Sequence, residues 1–299
     1  STQAREILTE LLPKLLEAMG ATPDPDTALL KFDEFLQGLP AGVQLFSMIQ
    51  ANPQLMDLLA EIMGTAPRLA GHLSSRPAVL DSVLTPDFFQ SLPSISEMKE
   101  ELGSYLARAE YIEDVLNFSR RWTHDRRFQV GVQGLRGLIP PAEAATAHSN
   151  IAEAAIDCLF KPIYSEFIET HGVIKDSDVA VMALGKLGSR EMTASSDLDL
   201  VIIYKAPINS AGSNGTKPLS VSQYFARLSQ RLINALTALT SEGAMFKVDM
   251  RLRPSGNSGP IATTIEAFAS YQADGAWTWE HMALTRARVI SATSDKMRS

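Results

Sequence analysis

The sequence predicts an α+β fold, mostly α, with an N-terminal helical domain over residues 1–175 and a small mixed-sheet α/β domain over residues 176–299. Three observations predict it. Apolar residues recur at three- and four-residue spacing through the first part, the stripe of amphipathic helices. Near residue 178 the texture changes to short apolar and β-branched runs bounded by glycines and loops. A chain of 299 residues with 45% hydrophobic content has the length for two cores, at about 100–200 residues per domain.

Ala4, Ile7, Leu8, Leu11, Leu15 and Met19 lie on one face of a first helix. Asp26 to Leu39 repeats the spacing with Leu29, Leu30, Phe32, Phe35 and Leu36. Asn52-Pro53 and Arg76-Pro77 each open a helix with proline near its first position. The segments after those prolines look alike, but two weak copies fall short of the three or so repeats a solenoid needs. Residues 95–122 form a long helical stretch, and Arg126–Gly137 a basic, partly irregular one. Pro140-Pro141 precedes a helix with Ile151, Ala155, Cys158 and Leu159 inward, kinked at Pro162 and ended at Gly172. Beyond it, Val179–Leu184 and Leu198–Tyr204 read as strands and residues 209–218 as a flexible loop. Residues 219–240 read as a helix and Met245–Leu252 as a third strand.

The charge balance excludes a nucleic-acid coat, which is ordinarily basic. There are 27 Lys and Arg against 34 Asp and Glu, a net of −7. That total conceals an asymmetry: residues 1–175 hold 14 basic and 23 acidic residues, and residues 176–299 hold 13 and 11. The second part therefore remains open to a polyanionic ligand. A single cysteine, Cys158, rules out an internal disulfide framework and points to a reducing, cytoplasmic setting. No run approaches the ~18–20 apolar residues of a membrane span. The chain opens on an acidic helix-like segment rather than a signal peptide, and the missing initiator Met suggests a fragment.

The chemistry concentrates in Gly185-Lys-Leu-Gly-Ser-Arg-Glu-Met-Thr-Ala-Ser-Ser-Asp-Leu-Asp199. A strand runs into a turn where Gly185 and Gly188 let backbone approach a phosphate closely. Asp197 and Asp199 follow at the start of the next strand, where residues two apart point to one side. Two such carboxylates repel unless a cation lies between them. Hard oxygen donors favour Mg²⁺, which takes one or two carboxylates plus substrate phosphates. In Val248-Asp-Met-Arg-Leu-Arg-Pro254, the residues Asp249, Arg251 and Arg253 alternate with apolar ones, giving one polar face. Beside the Asp197 strand, that face brings three carboxylates together with two guanidiniums. Such a set suits two metal ions, about 3.5–4 Å apart, in an in-line phosphoryl or nucleotidyl transfer. Arg251 and Arg253 would hold phosphate oxygens. Each piece has a plainer reading as a cap, an ion-pair ladder or a tight turn; the order and the strands make the set specific.

Other candidates carry less. His72, His124, His148, His171 and His281 lack metal-ligand spacing, and Cys158 belongs to a core face. The cluster Arg120-Arg121-Trp122-His124-Arg126-Arg127 reads as a solvated helix end rather than a nucleic-acid contact. Trp277-Thr-Trp279-Glu280-His281 reads as an amphipathic helix anchored on the sheet.

At these residues the chain resembles a known family. Gly185-Lys186 through Ser196-Asp197-Leu198-Asp199 is similar to the signature of DNA polymerase β-like nucleotidyltransferases, with Lys186 where that signature has Gly or Ser. Ala183–Glu191, Val248–Pro260 and Tyr271–Arg288 narrow the resemblance to bacterial glutamine synthetase adenylyltransferases. Leu8–Leu84, with Thr22-Pro-Asp-Pro-Asp26 and Asn52-Pro53, extends it over nearly the whole chain. The resemblance implies a cytoplasmic nucleotidyltransferase domain over 176–299 that uses ATP and Mg²⁺, two ions by expectation. It also implies glutamine synthetase as protein substrate and a PII signal protein as partner, with neither nucleic acid nor membrane. By the same resemblance Asp197, Asp199 and Asp249 are catalytic metal ligands, and Gly185, Lys186, Gly188, Ser196, Arg251 and Arg253 bind the nucleotide. Family members pair an adenylylating domain with one that removes the adenylyl group by phosphorolysis. Arg253–Gly259 and Trp277–His281 resemble the adenylylating half, and the family's C-terminal helical bundle is largely absent. The deadenylylating half and a docking or regulatory module without turnover are the alternatives.

Overall fold

A computed structural model of the chain describes residues 2–39 and 42–298. Among them the fold is α+β and mostly α, with 14 helices and a five-stranded mixed sheet. Two compact units divide the chain: residues 1–91 with 128–140, and residues 92–127 with 141–299.

The first unit is helical: α1 (Thr2–Gly20), α2 (Pro25–Gly38), α3 (Gly42–Ala51), α4 (Pro53–Thr65), α5 (Pro67–Ser75) and α6 (Val79–Val83). Leu11, Leu15 and Met19 bury the predicted face of α1, while Ala4, Ile7 and Leu8 lie outside the residues whose side chains are described. Asp24 caps α2 by accepting the Thr27 amide at 3.1 Å, with Pro25 at the first helical position. The buried stripe of α2 is Ala28, Phe32 and Phe35. Leu29 and Leu30, expected on that face, are exposed, because they fall outside the i, i+4, i+7 row. Pro53 opens α4 as expected, whereas α6 starts only at Val79, two residues past Pro77.

The second unit begins with α7 (Ile95–Leu106), whose N-terminus is a capping box: Ser94 donates its amide to Glu97 Oε2 at 2.7 Å, and the Glu97 amide donates to Ser94 Oγ at 3.4 Å. The expected single stretch over 95–122 breaks after Leu106. A second helix, α8 (Ile112–Leu135), runs on through the residues expected to be irregular, and its residues from Phe128 belong to the first unit. Next comes α9 (Pro141–His171), with Pro162 inside it. It ends where Gly172 turns left-handed (φ +71°) and donates its amide to Ile168 O at 2.8 Å.

The sheet comprises β1 (Asp178–Ala183), β2 (Leu198–Lys205), β3 (Val248–Asp249), β4 (Ala262–Thr264) and β5 (Arg288–Ala292). Its order is β3-β2-β1-β5, with β4 also on β2. β1 runs antiparallel to β2 and β5; β3 and β4 run parallel to β2. Between strands lie α10 (Gly185–Gly188), α11 (Val221–Thr237), α12 (Ile265–Asp274) and α13 (Thr278–Leu284), and α14 (Asp295–Arg298) follows β5.

Alternation along β2 separates two apolar layers. Leu198, Leu200, Ile202 and Tyr204 pack with α9 and α11, including Leu159, Phe167, Phe225 and Leu232. Val201 and Ile203 pack on the opposite side with Met182, Leu184, Phe268 and Leu284. Asp199 has the parity of Val201 and Ile203, so it belongs to this second face.

The expected flexible loop over 209–218 is stapled to the end of α9 instead. Gly215 and Lys217 donate their amides to His171 O and Thr170 O, each at 3.0 Å, and Asn214 Oδ1 accepts the Val173 amide at 2.8 Å. These bonds satisfy helix-terminal carbonyls that otherwise lack partners. No helix among the described residues is long and apolar enough to cross a membrane.

Candidate active site

Two strand starts and a tight turn build the site. Parallel pairing places Asp199 of β2 opposite Asp249 of β3, so the two carboxylates share one face and one level. The Leu198 amide fixes that register by donating to Lys247 O at 2.9 Å. On the other edge of β2, the Leu184 amide donates to Asp199 O at 2.9 Å, which delivers the glycine turn to the same point. Gly185 there is left-handed, with φ +51°. A Cβ at Gly185 would run into the Asp199 carboxylate, coming within 2.8 Å of its Cγ, so only glycine admits this approach. The turn closes through Gly188 N to Leu184 O (2.8 Å) and Glu191 N to Lys186 O (2.8 Å). Gly188 is buried against the backbone of Arg286.

Ser196 closes the turn that leads into Asp197. Its Oγ accepts the Thr193 amide at 2.9 Å and lies 3.0 Å from Thr193 Oγ1. Asp197 and Lys186 are exposed, and Asp199 is half-buried. Burial, then the charges of Asp249 and Asp197, raise the Asp199 carboxyl above its ordinary value, with Arg251 and Lys186 opposing. Asp199 therefore feels both other aspartates and both cations.

Asp249 is shifted the other way. Hydrogen bonding from Arg251 is the first cause that holds its carboxyl below the usual range. Arg251 grips it with Nε to both oxygens (3.0 and 2.8 Å), Nη2 to Oδ2 (2.5 Å) and the backbone amide to Oδ1 (2.8 Å). That last bond also corrects the expected strand over Met245–Leu252. Strand pairing stops at Asp249, because its side chain takes the Arg251 amide and turns the chain. The alternation of one polar face past Asp249 is consequently lost. Arg253 donates to carbonyls of its own loop, Met250 O at 2.8 Å and Gly259 O at 3.3 Å.

The donor set fits Mg²⁺ in chemistry: it is all carboxylate oxygen, and the raised Asp199 carboxyl marks excess negative charge that a cation would offset. Among the described residues no three His, Cys, Asp or Glu side chains converge closely enough to hold an ion by themselves. Mg²⁺ commonly takes only one or two carboxylates and completes its shell with water and phosphate oxygens, so the two observations are compatible.

Several residues around the site escaped sequence reasoning. Buried Glu153 of α9 accepts Arg288 Nη1 at 2.7 Å and Arg190 Nη2 at 3.4 Å. Its signal was a carboxylate amid Ala152, Ala154 and Ala155, with Asp157 one turn on. Arg127 donates to Ala194 O and to Met245 O (3.2 Å), tying down the segments that lead into both aspartate-bearing strands. The expected solvated helix end at Arg120–Arg127 is thus corrected. Arg120 is fully buried without an acidic partner, because four carbonyls receive it: Leu116 O (3.0 Å), Gly243 O (3.1 Å), Ala235 O (2.8 Å) and Ala238 O (2.9 Å). Trp277 and Trp279, expected to anchor a helix, are 72% and 55% exposed; the buried member is Glu280, which accepts the Tyr271 hydroxyl at 2.9 Å and the Trp277 amide at 2.8 Å.

A small mixed sheet that gathers aspartates, a glycine turn and arginines at one strand end is the arrangement expected of the nucleotidyltransferase class. Against known proteins, residues 56–298 match the glutamate-ammonia ligase adenylyltransferase family. The chain is 49% identical over 290 residues to a bifunctional glutamine synthetase adenylyltransferase/adenylyl-removing enzyme of Brucella melitensis. It is 48% identical over 297 residues to the enzyme of that name from Agrobacterium fabrum, and 45% over 295 residues to that of Bartonella henselae. These alignments cover 97–99% of this chain and 30% of each relative. The chain belongs to the glutamate-ammonia ligase adenylyltransferase family, and it spans about 30% of the length of the curated relatives it matches.

Proposed function

We propose that this chain transfers AMP from ATP to a tyrosine of glutamine synthetase, releasing pyrophosphate, and so regulates nitrogen assimilation. The observation that supports it best is the level pairing of Asp199 with Asp249, with the Gly185 turn pressed against the Asp199 carboxylate. In the reaction a bond forms from the tyrosine oxygen to the α-phosphorus and the bond to the β-phosphate oxygen breaks. Asp197, Asp199 and Asp249 would hold Mg²⁺, two ions on this reading, which supplies positive charge to the phosphates when bound.

The chain's own residues do the rest. Gly185 brings the backbone turn up to the phosphates, Gly188 lets that turn pack on the backbone of Arg286, Ser196 holds the turn before Asp197, and Lys186 adds a cation beside them. Arg251 leaves Asp249 for the phosphates, as does Arg253 from its loop. That exchange matters for the proton: a carboxylate gripped by Arg251 is a poor base, and a phenol with a pKa of about 10 needs one at pH 7. Released, Asp249 accepts the phenol proton. A PII-type signal protein belongs to the same proposal as a regulator.

The test incubates unmodified glutamine synthetase with the chain, Mg²⁺ and ATP labelled in the α-phosphate. Label on a tyrosine, lost in Asp199→Asn, supports the reading. Release of ADP from adenylylated glutamine synthetase and phosphate, without forward labelling, replaces it with the phosphorolytic direction. Binding of glutamine synthetase with neither reaction leaves a docking module.

A further inference from the structure

The Gly185–Gly188 turn is one helical turn long, and so short a helix does not hold itself. Its last carbonyls point out of the helix without intrahelical partners. Arg288 of β5 reaches two of them, donating Nε to Gly188 O at 2.8 Å and Nη2 to Leu187 O at 3.0 Å, the latter also accepting the Arg190 amide at 3.3 Å. Its third edge, Nη1, meets Glu153 Oε2 at 2.7 Å. Glu153 is buried on α9, so the guanidinium is aimed by an acid that cannot swing into solvent. The same oxygen reaches Arg190 at 3.4 Å, just past the turn. Arg190 is left-handed at φ +61°, an uncommon state for a side-chain-bearing residue, and Asn150 Oδ1 holds its Nη1 at 2.5 Å. Ser149 Oγ accepts the Met192 amide at 3.2 Å. One face of α9 thus grips the segment just past the turn, directly at Arg190 and Met192 and through Arg288 at the turn's last carbonyls.

We propose that Glu153 and Arg288 are positioning residues of the candidate active site: Glu153 orients Arg288, and Arg288 fixes the glycine turn at the height where Gly185 meets Asp199. The proposal rests on the reading of that turn as a phosphate-contacting element. The guanidinium fork is essential, because its three bonds leave three separate nitrogens of one rigid plane, whereas the three donors of an ammonium share a single nitrogen. Displacement of reacting groups by about 1 Å costs on the order of a hundredfold in rate, so the height of the turn matters to the site.

The test compares the 299-residue chain with Arg288→Lys, which keeps the charge beside Glu153, and with Glu153→Gln. Amide hydrogen exchange is followed at Gly188, Ser189 and Glu191, with β2 and α11 as internal references, and a fluorescent ATP analogue is titrated in Mg²⁺. Both variants are expected to lose about tenfold or more of the turn's protection, the loss of one charge-assisted bond, and a comparable factor in analogue affinity, with β2 and α11 unchanged. Equal loss of protection across the turn, β2 and α11 reduces the pair to a general brace and overturns the proposal. Unchanged protection at the turn in Arg288→Lys overturns it as well. Failure of the unsubstituted chain to bind the analogue counts against the nucleotide reading alone, since the exchange pattern still decides whether the pair positions the turn.

Discussion

Gly185→Ala separates two costs that a glycine at positive φ can hide. The first is backbone strain: an L-residue in the left-handed region costs roughly 1–2 kcal/mol. The second is collision, because the new Cβ would run into Asp199, reaching 2.8 Å from its Cγ and 3.3 Å from its Cβ. Asp199 is held by pairing with β3 and by the Leu184 amide, so its carboxylate must rotate away, at an overpacking cost of about 1–3 kcal/mol. Gly243→Ala in the same unit isolates the first cost: φ there is +82°, and the nearest atom to a Cβ is His124 Nε2 at 3.9 Å. Urea unfolding should therefore show a loss of ~1–2 kcal/mol for Gly243→Ala and ~2–5 kcal/mol for Gly185→Ala. A fluorescent ATP analogue with Mg²⁺ should bind Gly185→Ala at least about tenfold more weakly, and Gly243→Ala normally. Equal stability losses with unchanged analogue affinity in both would refute the close-approach reasoning.

Arg120→Met strips the hydrogen-bond donors from four carbonyls, two of them at the end of α11. With each unmet buried acceptor costing about 1–3 kcal/mol, urea unfolding should register a loss of at least ~3 kcal/mol, and a neutral result contradicts the account. His148 is pushed down to about 4 from 6.5, by burial first and Arg127 second, so the unfolded chain binds its proton more readily. Stability should then fall as pH drops from about 6.5 towards 4, by roughly 3 kcal/mol from this group, and His148→Phe should flatten that slope. Arg251→Ala frees both oxygens of Asp249. Electron paramagnetic resonance should find Mn²⁺ bound several-fold tighter without nucleotide, and denaturation should find stability little changed, as befits an arginine side chain that is 73% exposed. Weaker Mn²⁺ binding in that variant sinks the view of Arg251 as a stand-in cation.

The strand β2 and the glycine turn were legible because local signals set them: β-branched residues between loops, and two glycines at a strand end; that Gly185 crowds the Asp199 carboxylate was not, since the glycines read as an approach to phosphate. Pairing of β2 with the Asp249 segment entered only as a condition, because the two strands come from distant parts of the sequence and no local rule joins them. The length of that third strand was not legible, since Asp249 used its side chain on the Arg251 amide, a competition that alternating hydrophobicity does not reveal. Arg120 misled for a related reason. Basic residues near acids read as solvent-facing, yet carbonyls at a helix end 115 residues downstream supply its partners. Glu153 shows the limit most clearly. Its role depends on β5, which lies 135 residues away in sequence and was not read as a strand. Exposed Trp277 and Trp279 failed in the opposite sense, because large aromatic area predicts burial without naming the surface that provides it.

A structure of the chain soaked with Mg²⁺ and a non-hydrolysable ATP analogue decides whether the aspartates and the glycine turn form one nucleotide site. Triphosphate density should lie between the Gly185–Gly188 turn and Asp197, Asp199 and Asp249, with Arg251 turned from Asp249 to a phosphate. Nucleotide bound elsewhere, with Arg251 still seated on Asp249, would contradict it.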